Sequence, residues 1–261
     1  MLSYQHIYHA GNLADVQKHA LLAWMLHYMV QKPKPLTYIE THAGRGLYQL
    51  NALEAIKTGE SAAGIGIASP WFESEHPYFR AIETVRGLHG EAAYPGSPAL
   101  AAGTLRAEDR IVLSELHPKE CAALRVTMRD VGAKIFQNDG FKIALDLCPP
   151  TPRRGLILID PSYEIKMDYA LIPDFVKRLN RRWNVGVIAL WYPILRDETH
   201  IHMLKALEAL GLPNIFRHEV NFPPVRDGHR MVGSGMFIVN APFGIAEEAS
   251  RLSGHFAKLA G

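Results

Sequence analysis

Four short apolar runs in this chain of 261 residues stop abruptly at polar tips. LTYIET (36–41) runs into His42-Ala43-Gly44-Arg45-Gly46, RIVLSE (110–115) ends in Glu115, KIFQN (134–138) in Asp139-Gly140, and GLILID (155–160) in Asp160-Pro161-Ser162-Tyr163. Short apolar runs bounded by turn residues read as strands. Helical patterns alternate with them: 15–30, where Val16, Leu21, Trp24, Leu26 and Met29 recur on a helical period before QKPKP, then 118–131, 172–182 and 199–210. Three further strands are expected at 185–191, 216–222 and 231–240, the last paired with its predecessor. Strands alternating with helices predict an α/β fold, a mostly parallel seven-stranded sheet covered on both faces. Residues 51–94 change character, with small and charged residues around a WF pair. They read as two or three short helices, a helical insertion in a single domain spanning 1–261.

Bulk composition narrows the class. Hydrophobic residues make up 48% and charged residues 21%, the balance of a globular protein with a substantial core. A net charge of +2 and a pI near 8.5 are too mild to announce a nucleic-acid binder on their own. No window approaches the apolar length of a membrane-spanning helix, and the N-terminus lacks a secretory pattern. Cys121 and Cys148 are too few for a disulfide framework and too far apart in sequence for a metal-ligand pair, so both read as structural residues in a reducing cytoplasm. Among thirteen histidines, His200 and His202 are two apart and no HExxH-type pair occurs, so no metal is expected.

The polar tips carry the chemistry. In open parallel sheets the ligand crevice lies outside the carboxyl ends of the strands. A glycine turn at 44–46 permits close approach of backbone to a ligand. An acid such as Glu115 can accept both hydroxyls of a ribose. A dinucleotide fingerprint requires a third glycine and an acid about 20 residues on, whereas here the third glycine is absent and Glu115 comes only after a long intervening segment. S-adenosylmethionine, with one ribose and no pyrophosphate, suits the degenerate turn better. At the 160 tip, a carboxylate and a backbone carbonyl can accept the two hydrogens of an adenine amine, whose lone pair is otherwise delocalised into the ring. Asp160 and Pro161 are those groups, and Tyr163 offers a stacking face for the base.

Several motifs together, LSYQHIYHAGNLADVQKHALL, YIETHAGRGLYQL, YPGSPALA, LSELHP, NDGF, LILIDPSYEIK, ALWYPI and GSGMFIVNAP, run nearly end to end. They resemble the bacterial ribosomal RNA large-subunit methyltransferase J family, within the Asp/Asn-Pro-Pro-Tyr amino-methyltransferases. The resemblance implies a Rossmann-like class I fold and methylation of the exocyclic N6 of one adenine in 23S ribosomal RNA, with S-adenosylmethionine as donor. By motif it implies donor binding by His19, His42, Ser97, Glu115, Asp139, Gly140 and Asp160, with Asp160 also catalytic. It places Tyr4, His6 and Lys18 in an N-terminal motif folded over the active site toward the substrate. The implied partner is 23S rRNA, with no membrane association, and the protein is expected to be a monomer.

One position departs from the motif: Ser162 stands where the second proline is usual, which lifts the restriction a proline places on the preceding residue. The basic run Lys177, Arg178, Arg181 and Arg182 beside Trp183, with Arg153 and Arg154 upstream, reads first as a solvated face and second as an RNA-phosphate contact. Trp24, Trp183 and Trp191 read as core aromatics. Two other function classes fit the same residues: an amino-methyltransferase acting on DNA adenine or protein glutamine, and a non-catalytic RNA-binding module.

Overall fold

The computed structural model describes residues 4–225, 228 and 230–259. Its strands are β1 (Thr37–Glu40), β2 (Leu47–Gln49), β3 (Ala93–Pro95), β4 (Arg110–Ser114), β5 (Lys134–Phe136), β6 (Gly155–Ile159), β7 (Val187–Leu195), β8 (Phe216–Asn221) and β9 (Met231–Val239). The helices are α1 (Leu13–Val30), α2 (Leu53–Thr58), α3 (Glu60–Ala63), α4 (Ile65–Ala68), α5 (Pro77–His89), α6 (Ser97–Thr104), α7 (Pro118–Thr127), α8 (Gly140–Leu147), α9 (Asp168–Arg182), α10 (His200–Glu208) and α11 (Ile245–Ala257).

Seven strands form one sheet in the order β5-β4-β1-β6-β7-β9-β8, and β2 pairs separately with β3. Pairing is parallel from β5 through β7, while β9 runs antiparallel to both β7 and β8. This is the expected Rossmann-like, mostly parallel architecture of a class I methyltransferase, and all seven anticipated strands are in it. The last strand does pair with its predecessor, but it also inserts between that strand and β7.

Burial on both sides explains why β6 reads as a continuous apolar run. Leu156 and Leu158 join the core on one face with α1, α6 and α11. Ile157 and Ile159 join the core on the other with α8, α9 and α10. Helix α1 is buried almost all round, from Leu13 to Met29, because helices α5, α6 and α11 and strand β9 enclose it. Its first turn is capped by the Asn12 side chain, whose Oδ1 accepts the Asp15 N–H at 2.9 Å.

Residues 51–94 contain α2, α3, α4, a short 3-10 turn and α5, more pieces than the two or three expected, and they end in β3. They grip the N-terminal segment. Glu60 accepts hydrogen bonds from His9 Nδ1 at 3.0 Å and from Asn12 Nδ2 at 3.1 Å. Ile65 N–H donates to the Gly11 carbonyl at 2.7 Å, and a Cβ on Gly64 would lie 2.1 Å from that same oxygen. Trp183 and Arg182 close the far edge of the sheet. Trp183 is buried and donates to the Arg153 carbonyl at 2.5 Å, while Arg182 bonds the Leu145 carbonyl and Arg154 the Met29 carbonyl. The basic run therefore sits at the strand amino ends, opposite the polar tips, with part of it spent on satisfying carbonyls in the last turns of α8 and α1.

Candidate active site

A cavity of about 570 Å³ opens at the carboxyl ends of the strands, lined by all four polar tips and by the N-terminal segment. That size is typical of a cofactor or small-molecule site. Each residue singled out from the sequence contributes to its wall: Asp160, Pro161 and Tyr163; His19, His42 and Ser97; Glu115, Asp139 and Gly140; Tyr4, His6 and Lys18.

Loop geometry explains the tips. Gly44 and Gly46 both adopt positive φ, and a Cβ on Gly44 would meet the Tyr48 hydroxyl at 2.6 Å, so the turn admits no side chain there. Glu115 fixes this turn: its Oε2 accepts the Gly44 N–H at 2.8 Å and its Oε1 the His117 N–H at 2.7 Å. Asp139 caps α8, accepting the N–H groups of Phe141 at 2.8 Å and Lys142 at 3.3 Å. Gly140 is pressed on β1 so closely that a Cβ would fall 1.9 Å from the Thr41 carbonyl oxygen. His42 receives the Thr41 hydroxyl at 2.8 Å and meets the Phe141 ring edge-on at 5.1 Å. Desolvation lowers its pKa to about 4, against the pull of Asp160 and Asp139. Ser97 gives its hydroxyl to Glu40, which also accepts the Tyr38 hydroxyl at 2.9 Å. Burial lifts the Glu40 carboxyl to about 8 despite these two donors.

Asp160 stands at the end of a chain of charges. Lys18 Nζ lies 2.6 Å from Asp160 Oδ2 and 3.0 Å from Asp15 Oδ1. Asp15 Oδ2 accepts His6 Nε2–H at 2.9 Å and the Gly11 N–H at 2.9 Å, and His6 Nδ1 accepts the Tyr4 hydroxyl at 2.8 Å. Burial would discharge Lys18, but Asp15 and Asp160 outweigh it and raise its pKa, so the ammonium is retained. Burial likewise opposes ionisation of Asp15, and His6, Lys18 and His19 overcome it, holding that carboxyl well below the usual range. His19 lies between Asp15 Oδ1, 3.8 Å from its Nε2, and the Tyr94 hydroxyl, 2.9 Å from its Nδ1, and desolvation lowers its pKa to about 3.

Tyr163 lies in the left-handed region at φ 56°, unusual for a bulky residue. Its hydroxyl donates to the Trp191 carbonyl at 2.6 Å, and its ring leans on Tyr169 at 4.6 Å. Ser162 Oγ receives the Glu164 N–H at 3.5 Å, a long contact in place of the ring that a proline would supply.

Trp191 packs against both core clusters, as read from the sequence, and its half-buried ring also walls the cavity, with Lys18 Nζ 5.4 Å from it and its Nε1–H on Ser234 Oγ at 2.8 Å. Trp183 and Trp24 likewise pack in or against the core. Asp15, Tyr48, Glu120 and Phe141 also line the site and escaped the sequence reading. Asp15 was within reach, since it stands one helical turn before Lys18 on the same face of α1. Among the described residues no group of three or more His, Cys, Asp or Glu side chains is arranged to hold a metal, and no helix is long and apolar enough to cross a membrane.

The family model described as ribosomal RNA large subunit methyltransferase D, RlmJ, matches residues 33–260. The chain belongs to the RlmJ family. It is 37% identical to ribosomal RNA large subunit methyltransferase J of Escherichia coli K12, covering 97% of this chain and 91% of that protein. The Haemophilus influenzae protein of the same name is 36% identical, over 99% of this chain and 94% of its own length. Among solved structures, protein LPL1258 of Legionella pneumophila superposes with a TM-score of 0.85 at 32% identity, covering 96% of this chain and 94% of that one. The fold is thus shared with that protein along nearly the whole chain.

Proposed function

We propose that this RlmJ-family chain transfers a methyl group from S-adenosylmethionine to the exocyclic N6 of one adenine in 23S rRNA. One observation carries the reading: Asp160 and Pro161 stand at the tip of β6 in the same cavity as Glu115 and Gly140, so an amine-gripping pair and a nucleoside-binding edge share one space. The relatives' names, both large-subunit rRNA methyltransferases, supply the substrate class.

The cavity residues fit the donor. Glu115 offers a carboxylate at the β4 tip for a ribose, Gly140, pressed on β1, brings the start of α8 to the cavity, and His42, Ser97, His19 and Asp139 line the remaining wall. Bound there, S-adenosylmethionine would supply an electrophilic methyl group on a sulfonium.

The other side of the reaction is worked by the chain's own groups. Lys18 engages Oδ2 of Asp160, and among the described residues no hydrogen bond reaches Oδ1. That oxygen accepts one hydrogen of the adenine amine and the Pro161 carbonyl accepts the other. Gripped in this way, the nitrogen lone pair is drawn out of ring conjugation. Asp160 is also the nearest acceptor for the proton that leaves as the N–C bond forms. Tyr163, held by the Trp191 carbonyl, supplies a face for the extruded base. Tyr4, His6 and Lys18 close over the substrate side, on a segment held by the 51–94 insertion of the single domain. Such an enzyme works in the cytoplasm as a monomer.

The test is mass spectrometry of 23S rRNA from a strain lacking this gene, before and after incubation with purified protein and donor. One adenine should gain a methyl group at N6. Unchanged rRNA, with labelled methyl passing to DNA or to protein, would transfer the reading to the corresponding amino-methyltransferase class. RNA binding without donor binding would leave a non-catalytic module.

A further inference from the structure

Most exposed large apolar side chains, such as Leu53, Ile56, Leu88 and Phe243, stand away from the cavity. Four line it: Leu116 beside Glu115, and Ile165, Met167 and Leu171 together on the rim beyond Tyr163. The last three form the larger group. They are 57%, 65% and 52% exposed, yet all three line the cavity wall, and they come from one stretch that begins two residues after Tyr163. Solvent-facing apolar groups gathered at the mouth of a polar site mark a contact surface. The stretch is held by backbone bonds. Asp168 N–H donates to the Ile165 carbonyl at 2.9 Å and Leu171 N–H to the Met167 carbonyl at 3.0 Å, which ties the lip into the first turn of α9. Met167 and Leu171, four apart, share one face of that turn.

Resting on the function proposed above, the geometry of the substrate then decides what covers this lip. A base delivered to Asp160 enters the cavity, but the nucleotides joined to it cannot follow, and they must cross the rim. We propose that Ile165, Met167 and Leu171 form an apolar wedge that receives the face of the nucleotide adjoining the target adenosine, in the gap its extrusion leaves in the stack. Aliphatic side chains play this part when they enter a base step. Lys166, exposed between Ile165 and Met167, lies within the same stretch to meet the phosphate. The wedge therefore selects an RNA strand with stacked neighbours around the target.

The double variant Ile165→Ser/Met167→Ser is compared with the parent on protein-free 23S rRNA. KM for the RNA should rise roughly tenfold, with the donor dissociation constant from calorimetry and the thermal midpoint unchanged. An Ile165→Leu/Met167→Leu variant, which keeps the apolar face, should hold the parental KM. A serine variant with KM within about twofold of the parent overturns the wedge. So does a defect seen only on ribosomal particles, which would give the lip to a ribosomal protein. Failure of the parent itself to methylate rRNA removes the proposed function and the wedge together, whereas equal KM values in working enzymes remove the wedge alone.

Discussion

Lys18 is asked to neutralise two carboxylates at once, and this decides how Asp160 is to be probed. Removing the lysine would leave two carboxylates without their shared partner, with almost wholly buried Asp15 left to its hydrogen bonds from His6 and the Gly11 N–H, so a loss of activity there would be mixed with a loss of stability. Replacing Asp160 is gentler, because Lys18 keeps Asp15 as its partner. In Asp160→Asn the side chain keeps its shape and loses its basicity. We expect kcat to fall by about 10²–10⁴-fold, the range of a positioned proton acceptor, with donor affinity within a few-fold of the parent. Single-turnover transfer of labelled methyl would read this directly, and a parental rate in the asparagine variant would remove Asp160 from the proton path. Asp160 was legible at this scale because a carboxylate, proline and phenol at the end of a wholly apolar strand have few structural uses. Lys18 was placed near it by resemblance, but its pairing with Asp160 was not legible. Lys18 is 142 residues away in sequence, and only the tertiary fold brings it to 2.6 Å.

The elements that build the site were legible where an apolar run and a stop signal coincide, as in all seven strands of the main sheet. The β2–β3 pair was missed because three-residue strands carry too little pattern to separate from a loop. Helix α6 begins Ser-Pro and continues with small residues, so it shows no amphipathic stripe, and α8 starts at the Asp139-Gly140 signal that reads equally as a turn. Least legible was the purpose of the 51–94 segment. Its composition announced helices, but that α3 and α4 clasp residues 9–12 depends on Glu60 and on the bare backbone of Gly64. Gly64→Ala would drive a methyl group into the Gly11 carbonyl. We expect a stability loss of about 1–3 kcal/mol in urea unfolding together with a raised KM for RNA, since Tyr4 and His6 hang from the displaced segment. An alanine variant with parental stability and KM would show that the clasp has no hold on the arm.

Over the whole molecule, buried imidazoles set the response to acid. His19 is held at about 3, and His42 and His218 at about 4, desolvation being the leading cause in each. The unfolded chain takes up protons on all three below about pH 6.5, which the native protein refuses until near pH 4. Glu40 runs the other way: its carboxyl, raised to about 8, keeps a proton in the native state that the unfolded chain holds only below its ordinary value of 4.5. Three protons against one leave a net of two favouring the unfolded state. Stability should therefore fall as pH drops from roughly 6 to 5. Thermal melts at pH 7 and pH 5 check this, and coincident midpoints would contradict it. The order of strands carries a further consequence. Because β9 lies inside the sheet, between β7 and β8, and packs against α1, the helix that carries Lys18 lacks part of its seat until residue 239 has been synthesised. A nascent chain still short of that point carries Asp160 but not the whole scaffold that holds Lys18 against it, so strand order alone makes this pairing a late product of folding.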